Sequence, residues 1–261
     1  SFNKIQFADQ SANYIRAIYN DSEADKLYLG TRTKGLVVYN LNTKQYRFIT
    51  TQDGLSSNYI RSITKDKKGL IWVGTESGIN VISNEKILKI LKNDSQQPSH
   101  ISDNVIYSLA TDVYGQIWAG SWHKGLNRIS TININKHEIE KYYDGPKGML
   151  SENKVTSVYA DPVRPEVFVS TSKGLDHIFL NNDGSVQKVF HYTGIENSIN
   201  SLTSNFIWPV IRSDIKTLWV GTIGGGLNKL TLDLKGGYEA KSYTTTEGLA
   251  SNDVESLQID N

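Results

Sequence analysis

The sequence predicts an all-β fold, a β-propeller of four-stranded antiparallel blades, and three observations predict it. The first is one hairpin written five times. Leu70–Asn80 reads LIWVGTESGIN, an apolar run of strand length, a turn from Gly74 to Gly78, and a second apolar run. That is the pattern of strand, tight turn and strand. Copies stand at Ile117–Asn127, Leu218–Asn228, Leu27–Val37 (Tyr28 in place of Trp) and Val167–Asp176 (Phe168 for Trp, Ser170 for Gly). The second observation is a Leu/Ile-x-x-Asn element ahead of the hairpins. Its Asn residues 13, 58, 104, 153, 205 and 252 lie 45 to 52 residues apart, and in each full unit the hairpin aromatic follows 14 or 15 residues later. A period of that length, holding several short strands, is the size of a propeller blade. The third is composition: 10% aromatic residues, with 14 Tyr and 5 Trp, and no segment with helical periodicity and caps, which suits strands.

Each blade can be parsed in order. Strand A follows the Asn, as in Tyr59–Lys65. A turn comes next, Asp66-Lys67-Lys68-Gly69 or Asp112-Val113-Tyr114-Gly115, in which Asp bonds neighbouring backbone and Gly accepts positive φ. Strand B is Leu70–Gly74, strand C is Gly78–Ser83, and strand D precedes the next Leu-x-x-Asn, as in Gln45–Thr50 and Gly237–Thr244. Five full blades result, at about 13–50, 58–95, 104–144, 153–194 and 205–245. Lys4–Ala8 reads as a strand D without its A, B and C, and 253–258 as a strand A without its B, C and D. Two such orphans cannot complete one blade, so the expectation is a fragment of a larger, seven-bladed ring or array. A propeller hides its sheet edges by closing, and an incomplete ring would expose blade faces.

Composition excludes several functions. Twenty-eight basic residues against 27 acidic give a net charge of +1, which offers no bulk attraction to nucleic acid or anionic membrane. Without cysteine there is neither disulfide nor thiolate metal site. The five His residues (100, 123, 137, 177 and 191) show no metal-ligand spacing, so no metal or cofactor is expected. No apolar run approaches the roughly 20 residues a membrane helix needs, and the N-terminus is not a signal peptide.

Leu-Ser-x-Asn, then Asp-x-x-Gly-x-Ile/Leu-Trp-Val-Gly-Thr, then Gly-Leu/Ile-Asn together resemble the two-component regulator propeller repeat. The resemblance spans essentially the whole chain and is sharpest in units two, three and five. Unit one departs in lacking Gly before strand B, and unit four in carrying Asp161-Pro162-Val163-Arg164-Pro165 as its turn. The resemblance implies a periplasmic sensor region of a Bacteroidetes hybrid two-component system, tied to the membrane only through its parent chain. There it would stand beside another propeller or an immunoglobulin-like domain, in a homodimer, upstream of a histidine kinase. The family's kinase, receiver and DNA-binding parts are absent from these residues, so no catalytic residue and no nucleic-acid contact carries over.

Function is sought where the copies disagree. The recurring Trp72, Trp118 and Trp219 read as packing between blades, the Asn residues as turn anchors, and Gly35, Gly78, Gly125, Gly174 and Gly226 as turn formers. Along strand A, positions 15, 60, 106, 155, 207 and 254 are uniformly Ile or Val, as inter-blade core requires. Their neighbours vary: Tyr14, Tyr59, Val105, Lys154, Phe206 and Asp253 in one series, and Arg16, Arg61, Tyr107, Thr156, Trp208 and Glu255 in the other. The B–C turns vary too, from Arg32-Thr33-Lys34 to Glu76-Ser77 and Trp122-His123-Lys124. Strand A lines a propeller's channel and these turns share its mouth. The candidate ligand-binding residues are therefore Trp122, His123, Trp208, Arg32, Arg61, Tyr59, Tyr107 and Glu76. A Trp face suits stacking on a sugar, and Arg suits a carboxylate or sulfate.

Three functions follow from this reading. The first is a sensory module binding an oligosaccharide and controlling polysaccharide-utilisation genes, with no catalysis in this segment. The second is a structural or dimerisation propeller whose parent binds its ligand elsewhere. The third is a lyase or hydrolase, because streptogramin-lyase-like propellers carry similar Asp-x-x-Gly-x-Ile/Val-Trp repeats. It would need a base such as His123 or Glu76.

Overall fold

Alternating apolar residues and Gly-centred turns close five hairpin pairs into five separate sheets. The computed structural model describes residues 5, 7, 10–97, 99–133, 136–146, 148–195, 200–233 and 236–259. Blade one is β1 (Ile15–Asp21), β2 (Lys26–Thr31), β3 (Leu36–Asn40) and β4 (Tyr46–Ile49). Blade two is β5 (Ile60–Lys65), β6 (Ile71–Thr75), β7 (Gly78–Ser83) and β8 (Lys86–Leu91). Blade three is β9 (Ile106–Thr111), β10 (Ile117–Ser121), β11 (Leu126–Asn133) and β12 (Lys136–Tyr142). Blade four is β13 (Val155–Ala160), β14 (Glu166–Thr171), β15 (Gly174–Leu180) and β16 (Val186–Tyr192). Blade five is β17 (Ile207–Arg212), β18 (Thr217–Thr222), β19 (Leu227–Leu232) and β20 (Tyr238–Tyr243). Every sheet is a four-stranded antiparallel meander in chain order. The first strands β1, β5, β9, β13 and β17 pack side by side in succession, as the inner wall of a propeller does.

The core lies between blades rather than inside them. Tyr28, Leu36, Val38 and Ile49 of blade one pack on Ile60, Ile71, Val73 and Ile82 of blade two, and the same arrangement joins blades two to three, three to four and four to five. A strand-B glycine makes this approach possible. A Cβ on Gly30 would strike Ile60, and one on Gly221 would strike Val254 2.7 Å away. A turn glycine is needed for another reason: Gly78 sits at φ 114°, where a side chain would collide with the Leu91 carbonyl.

The Leu-x-x-Asn residues fasten one blade to the next. Asn58 Oδ1 accepts from the Thr51 amide at 2.9 Å, just beyond β4, while its carbonyl accepts from the Gly35 amide at 3.0 Å in the B–C turn of blade one. Asn104, Asn153 and Asn252 repeat both bonds.

Some elements differ from the sequence expectation. Two short 3-10 turns, Thr51–Asp53 and Thr245–Glu247, each carry a capping box, with Thr50 and Asp53 or Thr244 and Glu247 exchanging bonds. A third 3-10 turn spans Gln10–Asn13. Residues 253–258 form no ladder, because no other strand among the described residues pairs with them. They follow the path of a strand A all the same: the Val254 amide donates to the Thr222 carbonyl at 3.0 Å, and the side chain seats on Gly221 as Ile60 does on Gly30. The expected strand over 4–8 falls partly outside the described residues. Within it, Phe7 is buried edge-on against Tyr46 at 4.9 Å. No helix among the described residues is long and apolar enough to cross a membrane.

The hairpin aromatic and the A–B turn are coupled. Asp66 Oδ1 accepts from the Lys68 and Leu70 amides, and its Oδ2 accepts from Trp72 Nε1 at 3.0 Å. Asp112 and Trp118 repeat this at 2.8 Å. In blade four the aromatic is Phe168, which has no donor, and Arg212 of β17 forms the ion pair with Asp161 Oδ2 at 2.8 Å. In blade one, with Tyr28, Lys65 of β5 donates to Asp21 at 2.9 Å. Lys65 and Arg212 both stand seven residues after their blade's Asn, where blades three and four hold Thr111 and Ala160.

Candidate functional site

Six of the eight candidate residues lie in one connected row along the starts of the A strands and the neighbouring B–C turns, and Glu76 joins it through Arg61. Arg32, in the turn between β2 and β3, has Cζ 5.8 Å from the Tyr59 ring centroid. Arg61 lies between two phenols, with Cζ 4.3 Å from the Tyr59 centroid and 4.0 Å from that of Tyr107. Tyr107 stacks on Trp122 at 4.0 Å and 20°. Lys154 Nζ lies 4.0 Å from the Trp122 centroid and 4.9 Å from that of Phe206. Phe206 is 5.8 Å from Trp208, tilted by 32°. Cations and rings are thus interleaved from blade one to blade five, with ring on ring at Tyr107–Trp122 and Phe206–Trp208, and each blade supplies a member. The physical source is attraction between a positive group and the negative face of an aromatic ring, strengthened where water is partly excluded.

The remaining charges at this end are arranged around the row. Glu76, in the turn after β6, accepts from Arg61 Nε at 2.8 Å and also from its Nη2. His123 stands aside from the row. Its Nδ1 lies 3.0 Å from Asp103 Oδ2, which also accepts its amide, and its side chain is 58% exposed. Lys173 pairs with Glu152 at 2.6 Å, and that hydrogen bond holds the Glu152 carboxyl below its usual range. Burial pushes the Tyr107 phenol up, so it stays neutral beside Arg61 at physiological pH.

The geometry redistributes the roles expected of the two tryptophans. Trp122 is already engaged by Tyr107 and Lys154, so a sugar reaching its face must displace one of them. Trp208 is half-buried, and among the described residues no second ring or cation lies over it. It is the more available platform. Three members of the row were not singled out from sequence: Lys154, Phe206 and Arg16, whose Nη2 lies 3.4 Å from the Tyr59 hydroxyl. All three stand at the variable strand-A positions, so that signal was present in the comparison of copies. Thr156, from the same series, is instead buried and donates to the Ile207 carbonyl at 2.6 Å. No group of three or more His, Cys, Asp or Glu able to hold a metal occurs among the described residues.

Residues 54–77, covering the Leu-x-x-Asn of blade two, its strand A and its hairpin through Ser77, match the family model of the two component regulator propeller. The match covers one repeat, that of blade two. Over 247 residues, 91% of this chain, it is 27% identical to Histidine kinase P4 of Formosa agariphila. It spans 17% of that relative's length. Among solved structures, it resembles the extracellular domain of a hybrid two component system from B. thetaiotaomicron (TM-score 0.57, 15% identity, 92% of this chain and 36% of that one). It also resembles the Cps50 (Swd1) β-propeller domain of Myceliophteria thermophila (TM-score 0.60, 11% identity, 86% of this chain and 67% of that one). At these identities the two structures speak for the propeller fold alone.

Proposed function

We propose that this chain is the extracytoplasmic, periplasmic sensor propeller of a hybrid two-component histidine kinase, and that its cation–aromatic row binds an oligosaccharide released from a polysaccharide. The observation that carries this reading is the row itself. Variable residues from every blade, namely Arg32, Tyr59 and Arg61, Tyr107 and Trp122, Lys154, and Phe206 and Trp208, meet in one row. Aromatic faces interleaved with guanidinium and ammonium groups match the apolar faces and polar edges of a saccharide. The parent would be a homodimer, with a neighbouring propeller or immunoglobulin-like domain between this segment and the membrane. Binding would shift its signalling equilibrium through differential affinity for two dimer arrangements, and so control polysaccharide-utilisation genes. Titration calorimetry of the 261-residue chain against a broad panel of glycan fragments tests this. Heat of binding that is lost in Trp208→Ala supports it, and no heat with any fragment contradicts it.

One observation favours a second reading, a structural or dimerisation propeller. Arg61 and Trp122 already spend their faces on partners within the chain, which makes the row a stiff frame. Unchanged signalling by the full-length parent carrying Trp122→Ala and Trp208→Ala would select that reading. For the lyase or hydrolase alternative, the nearest feature is the His123–Asp103 pair. Turnover abolished by His123→Ala would be its signature.

A further inference from the structure

The row is not uniform in charge. Three guanidinium groups converge on the Tyr59 ring from three different elements. Arg16 reaches its hydroxyl from β1, at 3.4 Å. Arg32 approaches the ring from the turn after β2, with Cζ at 5.8 Å, and Arg61 from β5, at 4.3 Å. One carboxylate, Glu76, lies among them, and among the described residues it is bound to Arg61 alone, through Nε and Nη2. Among the described residues neither Arg16 nor Arg32 has a carboxylate within 4.0 Å, and both side chains are exposed. Two positive charges are therefore left over around one phenol. The other end of the row has no such excess of arginine. The positions equivalent to Arg16 and Arg61 hold Tyr107, Thr156 and Trp208 in blades three to five, and Lys173 there has its own partner in Glu152.

We propose that the Arg16–Arg32–Arg61 cluster around Tyr59 is an anion-binding subsite that takes a sulfate ester or uronate carboxylate of an acidic saccharide. The physical case rests on two points. Like charges held near one ring repel, and an anion between them removes that cost. A guanidinium lying over a ring also keeps its in-plane N–H groups pointing past the ring edge, where a carboxylate or sulfate accepts two of them at once. Arg61 already uses its fork in this way with Glu76, while among the described residues neither Arg16, whose Nη2 reaches the Tyr59 hydroxyl, nor Arg32 gives its fork to a carboxylate. The neutral rings further along, ending at Trp208, would then hold the rest of the sugar chain. The inference deepens the saccharide reading above and rests on it.

Calorimetry of the 261-residue chain with three galactose-based tetrasaccharides tests it: a carrageenan-type sulfated form, tetragalacturonate and neutral galactotetraose. We expect at least one charged form to bind about ten-fold or more tighter than the neutral one, as an added charge-assisted contact provides. Its affinity should fall with added salt. Arg16→Gln and Arg32→Gln should each weaken the charged ligand about ten-fold and the neutral one by much less. Glu76→Gln, which frees the Arg61 fork, should strengthen it. Preference between the sulfated and galacturonate forms identifies the anion. Equal affinity for charged and neutral forms, or charged-ligand affinity indifferent to both arginine changes, overturns the subsite while leaving the saccharide reading in place. Absence of binding by all three, together with a silent glycan panel, removes both.

Discussion

Blades two and three differ from blades one and four in how they satisfy a buried carboxylate, and the difference shows what sequence variation means in this fold. In blades two and three the turn residues Asp66 and Asp112 accept from the indole of their own hairpin, Trp72 or Trp118. In blades one and four the aromatic is Tyr28 or Phe168, and the acid is served by a cation from the next blade, Lys65 on Asp21 and Arg212 on Asp161. Where the indole is present, the cation position holds neutral Thr111 or Ala160. Blade five has Trp219 but Ser213 in place of the acid, so no donor is required there. A buried carboxylate without a donor is costly, and a buried charge without a partner more so. The repeat thus keeps the chemistry while changing the residues.

Blade four takes this furthest. Arg212 also pairs with Glu166, which accepts from His177 Nε2 at 2.9 Å, while His177 Nδ1 lies 3.0 Å from the Tyr192 hydroxyl. Removing the guanidinium should therefore have the largest effect. Arg212→Ala leaves Asp161 and Glu166 short of a counter-charge and should destabilise the chain by about 3–5 kcal/mol, read from urea unfolding. Adding Phe168→Trp should recover about 1–2 kcal/mol, because the new indole can reach the acid as Trp118 does. If the two changes simply add, the equivalence of indole and guanidinium is wrong.

The converse change in blade three should be smaller. Trp118→Phe leaves one oxygen of Asp112 without its donor and should cost about 1–3 kcal/mol. Ala160→Lys, which places a cation where blade two has Lys65, should restore part of it. An Ala160→Lys effect that is the same in the presence and absence of the Trp118→Phe change would break the comparison.

The smallest effect should be on pH dependence, and it should be confined to blade four. Burial holds the His177 pKa below its ordinary value, against the pull of Glu166. The unfolded chain therefore binds a proton near pH ~6.5 that the folded chain takes up only at lower pH. Stability contributed by neutral His177 is present above that range and lost as pH falls through it. His191 works the other way: its hydrogen bond to Asp176 raises its pKa. Its contribution is full below the unfolded value and is lost as pH rises through the folded one. Melting temperatures between about pH 4.5 and 8.5 should show a shallower acid slope in His177→Gln and a shallower slope above neutrality in His191→Gln.

The contrast also marks what could be read from the sequence. The hairpins, their period and the Asn anchors were legible because each is set by local chemistry: a strand period, a turn glycine, an amide side chain. The pairing of Arg212 with Phe168 was not, since it links a loss in one blade to a gain 44 residues on, and only packing brings the two together. The same holds at the mouth. The variable strand-A positions were visible, but their order was not, with Arg61 between Tyr59 and Tyr107 and Lys154 between Trp122 and Phe206. Strand A carries both kinds of variation. Its last residue changes in step with the preceding hairpin, and that change is structural. Its first residues change without any such compensation, and that is where a ligand face is expected.

The most direct test of this division is hydrogen exchange on the 261-residue chain, with and without the saccharide that gives the strongest calorimetric signal. Binding at the row predicts slowed exchange in peptides covering 14–16, 59–61, 105–107, 122–124 and 206–208, and no change in the A–B turns at 66–69 and 112–115. Protection confined to those turns, or to the outer strands of the blades, would contradict it.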